Sequence, residues 1–347
     1  MKARKITAII LAVILCAGLT LTGCGKEGSS VKKNSKNHQA AADGKDPSAV
    51  WVLRVDDNDV YLNEVNFYAL SLLEGMGVEQ GTDMSAYYSE SYPTLDSAFK
   101  AQLLLQMRQT KILYQKAVER GLTLTAEEEA EMNELVDAFI QNYDSDTQEE
   151  YGFDRDVLVK IYTEMGLIKK LENTLQEEAE YEKQDYGTFY NFVFLTIELD
   201  ENGNGVLDEN GQYVELSQDE ILAQKTKAEE VLNRLKNGAD PESVIEEYDL
   251  SATSGLMHAT SDSLRDTYGL KDGEVSELIQ NDFGYSIEKM VSVVDSDYSE
   301  TVNAYNESSS KSNAVEDQEN AWFDSYFFTA DDVDSEVWGK FTFQDFL

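Results

Sequence analysis

The sequence predicts an α+β protein in which a small α/β domain is inserted into a mainly helical one. Several long stretches repeat apolar residues at helical spacing behind capping residues. A later stretch, from Phe192 to Val291, instead has the order strand, long helix, short helix, irregular segment and strand, about the content of one small domain. The chain has 347 residues, 41% of them hydrophobic, so it is long enough for two cores.

Residues 1–23 are predicted to be a lipoprotein signal peptide. Three cationic residues precede an apolar run that is too short for a comfortable membrane span. Leu21-Thr22-Gly23-Cys24 resembles a lipobox, which implies cleavage before Cys24 and lipid on its sulfur; the alternative is an ordinary signal peptide with an incidental Cys. The only other Cys, Cys16, leaves with the signal, so no disulfide framework is possible.

Residues 24–49 are predicted to be the lipidated Cys followed by a flexible tether. The tether is rich in Gly, Ser, Lys, Asn and Ala and lacks an apolar period, so it cannot bury enough surface to order itself. Its lysines could lie on anionic lipid, but a solvated spacer is the simpler interpretation.

Net charge limits the partners. The formal charge of −39 repels nucleic acid and anionic membrane surfaces, which argues against a nucleic-acid partner. Such a surface could attract cationic segments of unfolded clients or Ca²⁺, although most of the charge is expected to be a solvated, aggregation-resistant surface.

Residues 50–186 are predicted to form the helical domain. A hairpin opens it, with strands at Trp51–Val55 and Val60–Leu62. Four amphipathic helices follow. They are predicted to begin at Asn63, Leu95, Thr125 and Asp154, and the last is predicted to extend to Lys183.

Residues 187–296 are predicted to form the inserted domain. A strand at Phe192–Ile197 opens it, and a long helix begins at the capping box of Ser217 and Glu220. The helix ends at Gly238, and a short helix begins at Asp240. An alternating segment, 283–291, is predicted to be the closing strand, whereas His258 is placed in a polar loop and interpreted as incidental.

Between the first strand and the long helix lies a loop with the oxygen spacing of a calcium-binding loop. Its candidate ligands are Asp200, Asn202, Asn204 and Asp208. Gly211 stands where a bidentate Glu is required, so a hairpin-like insertion is favoured over a weak Ca²⁺ site. Otherwise the sequence predicts no metal and no cofactor.

Residues 297–347 are polar at first and aromatic toward the end. We expect a helix and a short strand that return to the helical domain around Trp51 to Leu73. The alternative is an exposed aromatic tail that contacts clients, at a cost in solubility.

Three pieces of the inserted domain resemble the parvulin family of peptidyl-prolyl isomerases: Lys227 to Asp240, Gly273-Glu274-Val275-Ser276 and Phe283-Gly284-Tyr285. The resemblance implies the parvulin fold. The positions that would carry the family's chemistry are occupied by Phe194, Ser251, Ser263, Tyr285 and Ser286.

These positions depart from the parvulin pattern. Phe194 and Ser286 stand where parvulins carry His, Ser251 falls near their Cys or Asp, and the apolar proline socket maps near Ala259 and Ser263. Isomerisation has to lower a barrier of about 18–20 kcal/mol. Without the two His and the apolar socket, the fold is expected to be kept and the catalysis lost.

Two segments of the helical domain, Val55 to Glu64 and Ile112 to Glu128, resemble the N-terminal chaperone domain of the SurA and PrsA foldases. A generic helical domain is the alternative. The resemblance implies a lipid-anchored chaperone or foldase-like protein on the extracytoplasmic face of a bacterial membrane, binding unfolded or secreted polypeptides. Two further hypotheses stay open: an active isomerase with an atypical pocket of Ser251, Tyr285 and Ser286, and a structural or docking lipoprotein.

Overall fold

A computed structural model describes residues 41–76 and 93–346, and these residues form two compact units. The first unit takes in the described residues up to Ala179 and those from Ser312 onward, and the second is Glu180–Lys311. The boundaries expected at 187 and 296 both lie inside the second unit. Cys24, the predicted lipobox and the predicted signal peptide lie outside the described residues.

Part of the expected tether packs on the first unit. Ala41 and Ala42 are buried in its core cluster, and Asp46 caps a 3₁₀ turn at Pro47–Ala49 through the backbone N–H of Ser48. Small apolar side chains and a proline preset for the turn make this order possible. The expectation of a flexible tether is therefore wrong for residues 41–49.

The first unit opens with an antiparallel hairpin, β1 (Trp51–Val55) and β2 (Asn58–Tyr61), whose turn holds Asp56 at φ +53°. Five helices follow in the described chain before Ala179. They are α1 (Leu62–Met76), α2 (Leu95–Glu119), α3 (Ala126–Asn142), α4 (Ser145–Tyr151) and α5 (Arg155–Glu178).

Side-chain caps explain where α2 to α5 begin. Thr125 and Glu128 form the predicted capping box of α3, with Thr125 N–H donating to Glu128 Oε2 at 2.7 Å. Asp154 caps α5, as predicted. The end of α5 was misplaced: it lies at Glu178 rather than Lys183, because the apolar period stops at Leu175.

Aromatic residues from the C-terminus complete the core of the first unit. Phe341, Phe343 and Phe346 are buried beside Phe99 on α2. Lys100 Nζ donates to Phe341 O at 2.5 Å. In place of the expected strand, the described residues form short helical segments, with a single bridge from Val333 to Leu53.

The first unit also encloses a buried ion cluster. Lys111 on α2 places its Nζ 2.7 Å from Glu64 Oε2 and 2.5 Å from Glu164 Oε2, and Lys160 Nζ lies 2.5 Å from Glu64 Oε1. Burial alone would lower the pKa of Lys111, but Glu164 and Glu64 raise it overall, whereas burial raises the pKa of Glu164. Lys111, Glu64 and Glu164 are buried, whereas Lys160 reaches Glu64 from a half-exposed position. The two positive and two negative charges balance, which makes the buried charges tolerable.

Helix α6 covers one face of the four-stranded antiparallel sheet of the second unit. The sheet is formed by β3 (Tyr186–Leu195), β4 (Gly255–Thr260), β5 (Ile279–Asn281) and β6 (Gly284–Ser292), in the order β4-β3-β6-β5. The helices between β3 and β5 are α6 (Gln218–Lys236), α7 (Pro241–Glu247) and α8 (Ser261–Thr267). Phe192 and Phe194 on β3 pack with Val231 and Leu235 of α6.

The alternating strand pattern places a smaller apolar cluster on the opposite face of the sheet. Phe189, Leu264 on α8 and Met290 are buried together there. Strand β3 begins at Tyr186, earlier than the predicted Phe192, because residues 186–191 pair with β4 and residues from Thr188 onward pair with β6.

The insertion between β3 and α6 is a small closed structure built on an eight-residue repeat. Leu199 to Gly203 and Leu207 to Gly211 have the same sequence, Leu-Asp-Glu-Asn-Gly. The backbone N–H groups of Val206, Glu198 and Val214 donate to the carbonyls of Glu198, Val214 and Val206, respectively, at 2.8–2.9 Å. These three hydrogen bonds close a ring, which holds the insertion together without a helix.

Helix α9 (Ser296–Asp324) follows β6, and α10 (Ser335–Lys340) lies near the C-terminus. The polar segment predicted from Asp297 is therefore mostly one long helix. Among residues 41–76 and 93–346, no helix has the length and apolar content to span a membrane. The α+β, mainly helical class predicted from the sequence is confirmed.

Candidate functional site

The sheet face opposite α6 carries the polar groups nearest to where the parvulin resemblance places chemistry. Because Phe192 and Phe194 point into the α6 core, Asn191 and Val193 project from the other face of β3. Their partners on β6 are Glu288 and Ser286, respectively. This face therefore presents a carboxyl, a hydroxyl and an amide in a central part of the sheet.

The side chain of Glu288 is held in a closed set of hydrogen bonds. Ser286 Oγ donates to Glu288 Oε1 at 3.1 Å, and Ser276 Oγ donates to Glu288 Oε2 at 3.3 Å. In return, Glu288 N–H donates to Ser276 Oγ at 2.9 Å. All three residues are buried. We call Ser276, Ser286 and Glu288 the carboxyl cluster.

Burial governs the electrostatics of the carboxyl cluster. It raises the pKa of Glu288, and the two serine hydroxyls lower it only in part. The pKa of Tyr268, beside the apolar cluster, is also raised, first by burial and then by the charge of Glu288. Asn191 Oδ1 is buried without a hydrogen-bond partner. Such a carboxyl can exchange a proton, but its oxygens are already occupied by the two serines.

The residues predicted as degenerate parvulin positions do not form one site. Phe194 and Tyr285 are cross-strand partners and lie in the core under α6. Ser286 belongs to the carboxyl cluster on the opposite face. Ser251 is exposed in the turn after α7, and Ser263 is exposed in the first turn of α8, where its N–H donates to Thr260 Oγ1. The structure therefore separates these five residues into three environments.

Sequence reasoning missed Glu288, Ser276 and Asn191. A usable signal existed in the alternation of β6, since Ser286 and Glu288 lie two residues apart and must share a face. The contribution of Ser276 could not be read in this way. It reaches the cluster from the loop before β5, through Ser276 N–H donating to Glu288 O at 2.8 Å.

A second polar group lies at the far end of β3. Thr188 Oγ1 donates to Asp295 Oδ2 at 2.6 Å and lies 2.9 Å from His258 Nδ1. A hydroxyl has one proton, so His258 Nδ1 is the donor to Thr188. This bond to Thr188 is the main reason that the pKa of Asp295 is lowered. The prediction that His258 lies in a polar loop is wrong: it is on β4 and stacks on Tyr298, with 3.6 Å between ring centroids.

The candidate calcium ligands fall into the two turns of the insertion. Asp200 Oδ1 accepts from the backbone N–H groups of Asn202 and Asn204, at 2.9 and 2.8 Å. Asp208 accepts in the same way from Asn210 and Gln212, in the second turn. Each Asp therefore closes its own turn. Within the part of the chain that the structure describes, no group of three or more His, Cys, Asp or Glu is arranged to hold a metal ion.

Comparisons with known proteins place this chain beside solved foldase structures. No protein-family model matches the sequence, and no curated protein matches it. The structural match to PrsA from Bacillus subtilis covers 84% of this chain and 98% of the PrsA chain, at 16% identity and a TM-score of 0.21. Foldase protein PrsA from Streptococcus pneumoniae matches 70% of this chain and 89% of its own, at 16% identity and a TM-score of 0.21.

Peptidylprolyl isomerase PrsA from Bacillus anthracis matches 69% of this chain and 95% of its own, at 15% identity and a TM-score of 0.19. The similarity to PrsA that the sequence segments predicted is thus found among solved structures. At this identity and TM-score the likeness assigns no role to any residue.

Proposed function

We propose that this chain is a membrane-anchored, extracytoplasmic chaperone or foldase-like protein that binds unfolded secreted polypeptides, and that its parvulin-like domain is not catalytic. The anchor is the lipid on Cys24 that the lipobox implies, and no cofactor is needed. Binding of clients is assigned to the helical domain, and the parvulin-like domain serves as a binding or spacing module.

The closed carboxyl cluster is the observation that supports the non-catalytic assignment. Favouring a twisted prolyl amide requires polar groups that are free to bind it, together with an apolar socket for the ring. Here the hydroxyl groups of Ser276 and Ser286 donate their hydrogen bonds to Glu288, and all three residues are buried. Phe194 and Tyr285, at two further positions, are committed to the α6 core. None of these groups is free to bind a prolyl amide.

Two features support client binding by the helical domain. The segment Ile112 to Glu128, which resembles the SurA and PrsA chaperone domain, forms the end of α2 and the capped start of α3. In the same unit, Phe327 is 93% exposed while its neighbour Phe328 stacks under Arg108, at 4.2 Å from the guanidinium carbon to the ring centroid. The exposed ring of Phe327 offers apolar contact to an unfolded chain.

Suppression of aggregation tests the chaperone assignment. The full chain is added in several-fold molar excess to a chemically denatured secreted protein on dilution, and light scattering is followed. Lowered scattering is the expected result, and serum albumin at the same concentration is the control. Scattering equal to that of the control would contradict client binding and favour the structural or docking lipoprotein.

Isomerisation of a short Xaa-Pro peptide tests the second half of the proposal. We expect the unmodified chain to leave the uncatalysed rate unchanged. The informative gain-of-function variant is Asn191→His with Ser286→His, because these two positions share a sheet face, whereas Phe194→His would place a polar ring in the α6 core. Clear catalysis by the unmodified chain would establish the alternative, an active isomerase with an atypical pocket.

A further inference from the structure

The insertion between β3 and α6 carries an exposed apolar surface. Isolated bridges pair Ile197 with Glu215, Leu199 with Gly205, and Leu207 with Tyr213. Directly opposed residues of antiparallel strands point to the same side, and residues two apart on a strand share a side. These positions therefore project to one face of the insertion.

Tyr213 organises this face. A Cβ built on Gly205 would lie 2.5 Å from Tyr213 Cε1, so the ring lies directly over the glycine. The Tyr213 ring also meets Phe283, from the turn before β6, edge to face at 5.3 Å between centroids. The rings are thus held in place by the backbone of the insertion and by the main sheet.

The face remains open to solvent. Leu199 is 44% exposed, Leu207 54%, Tyr213 47% and Phe283 44%. We call these four residues the insertion patch. With residue areas of about 150–250 Å², the insertion patch offers on the order of 300–400 Å² of apolar surface. A stable interface between folded proteins needs about 800 Å² per partner, so the insertion patch suits a short segment of chain.

The sequence around this patch is rich in carboxylates and lacks positive charge. No Lys or Arg occurs between residues 184 and 224. The exposed acidic residues of the insertion and of the turn carrying Phe283 are Glu198, Asp200, Glu201, Asp208, Glu209, Glu215 and Asp282. Backbone hydrogen bonds lower the pKa of Asp200 and Asp208, which favours the charged form of these two carboxylates.

From this combination we infer that the insertion patch is a binding site for short, unfolded polypeptide segments that carry apolar residues next to Lys or Arg. The inference rests on the proposed chaperone function and names the class of client segment that the second unit takes. The apolar side chains supply contact area, and the carboxylates select cationic neighbours and repel acidic ones.

Anisotropy of a fluorescent peptide tests the site. The probe is a short synthetic peptide that alternates Lys with Phe and Leu, and a matched peptide has Glu in place of Lys. The full chain is expected to bind the Lys peptide, more weakly as salt is raised, and to bind the Glu peptide at least tenfold less well.

Two variants separate the apolar and electrostatic contributions. Leu199→Ser with Leu207→Ser is expected to lower affinity for the Lys peptide about tenfold, because these two leucines supply about half of the exposed apolar surface of the insertion patch. Asp200→Asn with Asp208→Asn keeps an acceptor oxygen in each turn but removes the charge. It is expected to lower affinity about threefold and to flatten the salt dependence. Val291→Ser is the matched control, since Val291 is 46% exposed on β6, about 20 Å along the strand from Gly284.

The outcomes distinguish this site from the broader function. Equal binding by wild type and the Leu199→Ser, Leu207→Ser variant would overturn the insertion patch while leaving suppression of aggregation intact. Equal binding of the Lys and Glu peptides would overturn the charge selection. A chain that neither binds the peptide nor suppresses aggregation would overturn the proposed function itself. The result that supports the site is weaker binding of the Lys peptide by the two double variants, with the affinity of Val291→Ser unchanged.

Discussion

Replacing Lys111 by Met is expected to destabilise the first unit by about 3–5 kcal/mol. Lys111 is fully buried and its ammonium is shared by the buried carboxylates of Glu64 and Glu164. Methionine has nearly the same length and leaves no large cavity, so the change isolates the charge. Glu64 would keep Lys160, whereas Glu164 would lose its hydrogen-bonded cation.

The stability lost in the Lys111→Met variant should increase with pH. Burial already raises the pKa of Glu164, and removing Lys111 would raise it further. A carboxyl whose pKa is higher in the folded state than in the unfolded state favours folding below the unfolded pKa, and this contribution is lost as pH rises through the folded pKa. The Lys111→Met variant should therefore be least stable, relative to wild type, at alkaline pH.

Urea unfolding followed by tryptophan fluorescence measures the loss of stability in the first unit. All three tryptophans, Trp51, Trp322 and Trp338, belong to the first unit. Lys116→Met is the matched control, since Lys116 makes an exposed pair with Glu119 at 2.7 Å, and it should cost about 0–1 kcal/mol. A Lys111→Met cost no larger than this control would refute the reasoning. Adding Glu164→Gln to Lys111→Met should recover part of the loss.

Three further changes test the two units. Burial raises the pKa of Glu172 to about 7, although the charge of Lys169 lowers it in part. Burial also raises the pKa of Glu319 to about 8, and the charges of Glu172 and Glu316 raise it further. Since both values lie above those of the unfolded chain, stability should fall as pH rises from about 5 to about 8, and Glu319→Gln should flatten that fall in tryptophan-monitored urea unfolding. Gly284→Ala should destabilise the second unit by several kcal/mol in calorimetry, because φ is +143° and the new Cβ would lie 2.0 Å from Phe194 O; an unchanged transition would contradict this. Relative to wild type, Glu288→Gln should stabilise the second unit increasingly as pH rises, since burial raises the pKa of Glu288 and the amide cannot ionise; one serine can still donate to the amide oxygen and the other can accept from the amide NH2, and a relative loss at alkaline pH in the same calorimetry would contradict this.

Local signals were sufficient to predict most helices. The capping boxes at Thr125 and Ser217 and the stop at Gly238 all appear as predicted, because the interactions that define them span only a few residues. Errors arose where distant contacts decided the outcome. Ala41 and Ala42 are ordered by the core of the first unit, and His258 joins a strand because β3 provides its partner.

The candidate site shows the same division. Motif positions led to Phe194 and Tyr285, but the sheet directs both into the α6 core. The buried carboxyl of Glu288 was overlooked because an acidic residue on a strand is ordinarily solvated, and only the loop bearing Ser276 makes its burial tolerable. The eight-residue repeat of the insertion was present in the sequence, but its structural role depends on the three backbone hydrogen bonds among residues 198, 206 and 214.

The sequence by itself determined the mainly helical α+β class, the strand, long helix and short helix that open the second unit, and the strongly acidic composition, because periodicity, caps and charge act locally or through simple summation. The segment predicted to be irregular instead forms β4, α8 and β5. Tertiary structure alone decided which side chains meet. Register and strand order place Asn191 against Glu288, bring the insertion patch together around Gly205, and enclose Lys111 between two carboxylates. Such contacts join residues far apart in the chain, and their energies depend on burial that no single segment specifies.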